Sequence, residues 1–396
     1  MLLVAFILRI WNLNWDEGTH QHPDERYWSI ITSEISAAGP IEYFDSSDST
    51  LNPYNLPGRD TWVYGTFPLY TTKATASFLA DGPFPAGAIV TTANAFGIDL
   101  RTDGVDDFDA GYNANLVGRV LSALIDTGTV LLVYLLGRDL VSRRVGFVAA
   151  VLLAFTALHI QYAHFYGAEP WVTFFVTASI WMSLRLTRGD LRLRVAGVTG
   201  LLLGLAMASK LIAVAALVVP AVALAVALAP VAVGLLRTWW SRMRPTVRAA
   251  PVAVTMVLVS TAALLLSVAW WAPVLVIVAA IAAALAVTAF ALGVVAPAER
   301  HKLPPALLFD QMADPPLRSI PRSKPQPAPH RLIWGAFVGL VVLAAAAVTY
   351  RIFQPYTFDG LFSIDERFTR DLDYLEGVNS GGNVPWVVQW IGRTPL

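Results

Sequence analysis

The chain has no cysteine, so it holds no disulfide framework, no thiolate nucleophile and no cysteine-based metal or redox centre. Charge is scarce: 14% of its 396 residues are charged, against roughly a quarter in a soluble domain. Neither sign is in excess, with 28 basic and 28 acidic residues, so no overall cationic field exists to hold nucleic acid. A glycine-rich phosphate loop is missing as well, because the GRDLVSRRVG turn at 137–146 lacks the spacing of a nucleotide fingerprint. No repeat period is found. What the chain has in quantity is apolar surface. It is 56% hydrophobic with a mean hydropathy of +0.57, which describes an all-α polytopic membrane protein.

A hydrocarbon core about 30 Å thick takes roughly 20 apolar residues per helix. Windows of that kind occur at 116–137, 145–163, 170–187 and 332–353, and the runs 195–236 and 251–297 are each long enough for two spans. Residues 1–13 are apolar but short and have no basic stretch before them, so they read as a first span with its start missing rather than a cleaved signal. Positively charged loops stay cytoplasmic. Four basic clusters, at 138–144, 185–194, 237–248 and 300–331, agree with one alternation: nine spans with the N-terminus inside. The expected organisation is a first span at 1–13, an outer loop at 14–115, a seven-span bundle at 116–297, a proline-rich inner loop at 298–331, a span at 332–353 and an outer tail at 354–396, itself taken to be cut short. Acidic residues show the opposite bias, with fifteen in 13–115 and six from Asp359 to Glu376. The outer loop is too long for a plain connection, and Trp62 to Ala80 within it predicts a helix lying at the membrane interface.

Chemistry-bearing residues gather on that side. His22, Asp24, Glu25, Arg26 and Tyr27 lie together in HQHPDERYW just after the first span. A carboxylate where membrane meets water can act as general base on a hydroxyl; the plainer alternative is a helix N-terminus, with Asp24 capping it or following Pro23. In HIQYAHFYGAEPW, His164, Tyr166 and Glu169 precede a membrane helix. An ionisable residue there is a functional candidate, or else a cap ahead of Pro170. His164 and Glu169 also form a candidate divalent-metal pair, although interfacial histidines more often bind backbone or headgroups. Lys210, in GLLLGLAMASK, can hold a lipid phosphate or snorkel to headgroups, and Arg26 and Lys73 are further outward cations. Asp126, the acid inside a clear span, reads as a proton relay or as the partner of a neighbouring helix.

With these residues in hand, the chain resembles the GT-C-type integral-membrane glycosyltransferases, a superfamily that includes the protein O-mannosyltransferases and the aminoarabinose transferases of lipid A. The resemblance runs through HPDERYW (22–28), YGTFPLY (64–70), GRVLSALIDTGTVLLVYLLGRDLVSRRVGFVAA (118–150), HFYGAEPWVTFF (164–175) and GLLLGLAMASK (200–210). LNPYNLP (51–57), QPYTFDG (354–360) and QWIGRTPL (389–396) make it similar, more narrowly, to bacterial phospholipid-carrier-dependent glycosyltransferase-like proteins. The resemblance implies a GT-C-like helical bundle with interfacial helices in its large first outer loop. It also implies a hexosyl- or pentosyltransferase in the bacterial plasma (inner) membrane, its active site facing outward. Such an enzyme moves sugar with inversion from a polyprenyl-phosphate donor to a protein, lipid or glycan acceptor, without nucleic acid and with a divalent metal as the one candidate cofactor.

Asp24 then takes the place of the catalytic carboxylate, with Glu25 beside it, and Glu169 the second outer acid, usually aspartate in related sequences. Arg26 sits one residue closer to the acid pair than the phosphate-holding cation of the aminoarabinose enzymes, and Lys73 and Lys210 are its replacements. His22, Tyr27, Tyr64, His164 and Tyr166 are expected to line the substrate. Two other readings share the apolar helices: a transporter or flippase for lipid-linked saccharides, which calls for ionisable groups near mid-membrane, and a non-catalytic subunit of the same fold.

Overall fold

The computed structural model describes residues 1–19, 21–59, 61–81, 86–95, 111–242, 328–360 and 363–380. The two spans read at 251–297, the inner loop from 298 to 327, His20 and the QWIGRTPL segment lie outside them. The chain divides into two units, one of Met1–Met182, Gly197–Leu217 and Val342–Leu396, the other of Ser183–Ala196 and Val218–Val341.

Among the described residues the structure is helical except for a two-residue antiparallel hairpin, Phe358–Asp359 with Ser363–Ile364. In chain order the helices are α1 (Leu2–Ile10), α2 (Pro23–Glu34), α3 (Phe67–Asp81), α4 (Ala86–Ala95), α5 (Gly111–Leu140), α6 (Arg143–Ala154), α7 (Ala157–Ala163), α8 (Glu169–Thr187), α9 (Leu193–Ser209), α10 (Val218–Arg242), α11 (Ala328–Phe353) and α12 (Glu366–Ser380). Among the described residues three helices are long and apolar enough to cross a membrane, at Asn113–Leu140, Leu211–Ser241 and His330–Phe353. The protein is an all-α membrane protein.

The stretch read as one straight span at 145–163 is instead a bent pair, α6 and α7, with a 62° angle at the break. At the break the helix end is closed partly from within, by Phe155 N on Val151 O and Thr156 N on Leu153 O, and partly from outside, where Arg9 of α1 donates to Ala154 O at 3.1 Å and shares Leu153 O at 3.4 Å. The same guanidinium meets Asp126 of α5 at 2.6 Å, and His159 Nδ1 of α7 lies 2.8 Å from the other Asp126 oxygen. Asp126 thus has its partner on a neighbouring helix. The apolar run 195–236 breaks at Lys210, between the end of α9 and a 3-10 turn at Leu211–Leu217.

In the first unit α5 is the spine against which α1, α2, α3, α6 and α7 pack. The segment after α1 and the segment after α11 are tied together by side chains. Gln354 accepts from Thr66 N at 2.6 Å, Tyr356 meets Ser49 at 2.6 Å, and Arg367 donates to Asn55 at 2.9 Å. The neighbourhood of LNPYNLP and YGTFPLY is thereby tied to QPYTFDG and the residues after it, with Thr66 and Gln354 288 positions apart along the chain. In the second unit Asp190 turns the chain between α8 and α9. Hydrogen bonds from Arg192, at 2.7 Å, hold its carboxyl below the usual range.

Candidate active site

α2 begins at Pro23, whose fixed φ and missing N–H suit the first helical position. Its cap is His22, whose Nδ1 accepts from Glu25 N at 3.3 Å. The capping role offered to Asp24 therefore falls to the histidine, and Asp24 stands exposed in the first turn.

Glu25, the next residue, is fully buried. Arg119 of α5 donates to both its oxygens, at 2.6 and 2.7 Å, and Tyr166 N donates at 2.8 Å. The same guanidinium reaches both oxygens of Asp16 at 3.1 Å and lies 5.2 Å from the centre of the Trp15 ring. Gly118 makes room for this arrangement, since a Cβ there would collide with the Tyr166 ring. The Tyr166 hydroxyl meets Thr32 Oγ1 at 2.8 Å. Glu25 and Tyr166, expected at the water-facing site, are instead parts of the wall behind it, because a carboxylate without solvent requires its charge partner.

The wall carries Tyr64. Its ring lies 5.3 Å from Trp28 and 5.4 Å from Trp62, in the edge-on and tilted geometries that aromatic rings favour. Gly65 decides where it sits: Gly65 N donates to Ser209 O at 3.2 Å, and a Cβ at this position would collide with the Ala208 carbonyl. The backbone of YGTFPLY is thereby laid on the end of α9, immediately before Lys210. Lys210 Nζ pairs with Glu169 Oε1 at 2.8 Å, with more than a third of each side chain open to water. Burial pushes the Tyr64 hydroxyl above its ordinary range. The charge of Asp24 and a hydrogen bond to it push further, and Glu169 and Tyr27 add to this. Both outer acids therefore act on one phenol, which stays protonated at neutral pH.

Tyr27 is half-buried and donates to Thr61 O. Burial, the largest influence, raises its hydroxyl. His164 has both ring nitrogens against carbonyl oxygens, Ile160 O at 2.7 Å and Trp11 O at 3.0 Å, so its geometry is that of a backbone-bound histidine. Among the described residues no three His, Asp or Glu gather as a metal set. Arg26 is exposed on α2 and Lys73 is half-buried on α3; Lys210 is paired with Glu169. Sequence reasoning missed Arg9, Arg119 and the partnership of Asp16. The available signal was an arginine inside an otherwise apolar helix, a costly placement that calls for a partner.

Residues 111–263 match the family model for dolichyl-phosphate-mannose-protein mannosyltransferase. The match supports the GT-C-type glycosyltransferase superfamily, and it takes in Arg119, Asp126, Glu169 and Lys210 while beginning after Asp24 and Tyr64. No curated protein and no solved structure matches the chain.

Proposed function

We propose that the protein transfers a sugar from a polyprenyl-phosphate carrier to an acceptor hydroxyl or amine at the outer face of a bacterial plasma membrane, with inversion at the anomeric carbon. The observation that supports this reading is that the charges of both Asp24 and Glu169 bear on the Tyr64 hydroxyl, while Glu169 is itself paired with Lys210. In this reading Asp24 is the base and Lys210 the phosphate-binding cation.

In this mechanism the acceptor oxygen bonds to the anomeric carbon as the bond to the carrier phosphate breaks, with the electron pair passing to the phosphate oxygens. Asp24, exposed and relieved of capping, takes the acceptor proton. Lys210 offers three N–H donors to the departing phosphate, where charge builds. Glu169 holds that ammonium in place until the phosphate shares it, and Tyr64 fixes the distance between the acids. The oxocarbenium-like path is the one glycosidases follow.

The test is transfer from radiolabelled polyprenyl-phosphate sugars in membranes carrying the full chain. Asp24→Asn is expected to lower the rate about 10²- to 10⁴-fold with the unfolding temperature unchanged. Transfer at the wild-type rate by this variant would overturn the proposal.

A further inference from the structure

Beside Tyr64 lies a cavity of about 40 Å³ lined by Trp62, Tyr64, Gly65, Gln354, Asp371 and other residues. Two of its lining side chains have open polar atoms although both residues are only 2% exposed. Asp371 Oδ2 accepts from Tyr54 Oη at 2.6 Å and from Trp62 N at 2.8 Å, while Asp371 Oδ1 has no partner. Trp62 Nε1 has none either. Buried polar atoms are nearly always paired, so an acceptor and a donor without partners, on two residues that line one cavity, point to the chemistry of what fits there. An ammonium would satisfy the carboxylate but cannot accept from the indole N–H, and an anion would meet the Asp371 charge; a hydroxyl, with one proton and free lone pairs, serves both.

We propose that this cavity receives a hydroxyl-bearing arm of a carbohydrate, Asp371 Oδ1 accepting its proton in a hydrogen bond and Trp62 Nε1 donating to its oxygen. The inference rests on the glycosyl-transfer reading and names the group by which that site recognises its sugar. A volume of this size accommodates an arm about as large as a hydroxymethyl group, or a few waters. Because Tyr64 lines the cavity, a sugar anchored there lies beside the phenol on which the charges of Asp24 and Glu169 bear. The arm can belong to the sugar being transferred or to a glycan acceptor.

Binding can be read without turnover. In the full chain in detergent, labelled with ¹⁵N at the indole nitrogens, Trp62→Phe identifies the Trp62 N–H resonance. Methyl α-mannoside, methyl α-glucoside or methyl α-galactoside is expected to shift it, and the deoxy form of the binding glycoside, lacking the engaged hydroxyl, is not. Asp371→Asn keeps an oxygen for Tyr54 and Trp62 N but turns the open acceptor into a donor, and should abolish the shift while the protein stays folded. Deoxy analogues in the transfer assay separate the two sources: a loss of about 10²-fold or more on the donor side assigns the arm to the transferred sugar, and on the acceptor side to the glycan. A resonance that none of the three glycosides moves, or one that Asp371→Asn leaves responsive, overturns the inference. A glycoside-dependent shift in a protein that transfers no sugar upholds the pocket and overturns the reaction.

Discussion

Asp24 and Glu25 are adjacent carboxylates with opposite surroundings. Successive helical residues point about 100° apart, and the start of α2 at Pro23 turns Glu25 onto Arg119 and leaves Asp24 toward water. Around Glu25 everything is dry and paired: Arg119 and Asp16 are as buried as it is, and Tyr166 N and the Leu13 carbonyl complete the set. Asp24 is exposed, and its charge acts on the Tyr64 phenol. The difference teaches that neighbours in sequence need not share a role: Glu25 is spent on a buried, bidentate pair with Arg119, whereas Asp24 stays accessible to water and to a ligand.

The largest expected effect breaks the dry side. Arg119→Leu removes the guanidinium and leaves two buried carboxylates uncompensated, a loss of about 3–5 kcal/mol to be measured as a fall in unfolding temperature of the purified protein. Asp24→Asn, by contrast, should cost rate and no stability. If Arg119→Leu melted with the wild type, the division between wall and rim would fail.

The class of the fold was legible in the sequence, but not its joints. Apolar helices follow from hydropathy, and the expected orientation from where the arginines cluster in loops. Arg9, Arg119 and Arg351 lie inside helices and so escape a count made on loops. Yet Arg9 holds Asp126 and the end of α6, Arg119 holds Glu25, and Arg351 donates to Pro355 O and Gly360 O beside the Phe44 ring. Their partners are separated along the chain by 117 residues for Arg9–Asp126 and 94 for Arg119–Glu25, distances over which no local pattern operates. The bend between α6 and α7 was hidden for the same reason, since Phe155 and Thr156 are not helix breakers and the Ala154 carbonyl at the break is met by Arg9 from another helix. Asp24, Glu169 and Lys210 were legible as chemistry-bearing residue types; the influence of Asp24 and Glu169 on Tyr64, and the contact of Gly65 with the end of α9, were not.

Gly65 offers a middle-sized test of that joint. Gly65→Ala forces a methyl group into the Ala208 carbonyl, so the loop or the helix end must shift, at a cost of about 1–3 kcal/mol. Because the shift moves Tyr64 relative to Lys210, transfer activity should drop further than the stability change explains when measured well below the unfolding temperature. Activity that merely tracks the folded fraction would mean that the placement of Tyr64 is not part of the chemistry.

Lys210→Met should give the smallest change in stability and the sharpest test of the rim. Its pair with Glu169 is more than a third exposed on both sides, and such pairs are worth about 0–1 kcal/mol, so the unfolding temperature should move little. Loss of one preorganised donor at the leaving phosphate should nonetheless lower turnover by about 10². Lys210→Arg should restore part of it, because a guanidinium keeps the charge and the phosphate donors but not the reach. A Lys210→Met variant that loses stability and keeps its turnover would place Lys210 with Arg119, among the groups that hold the protein together, and would leave Asp24 without the cation its reaction requires.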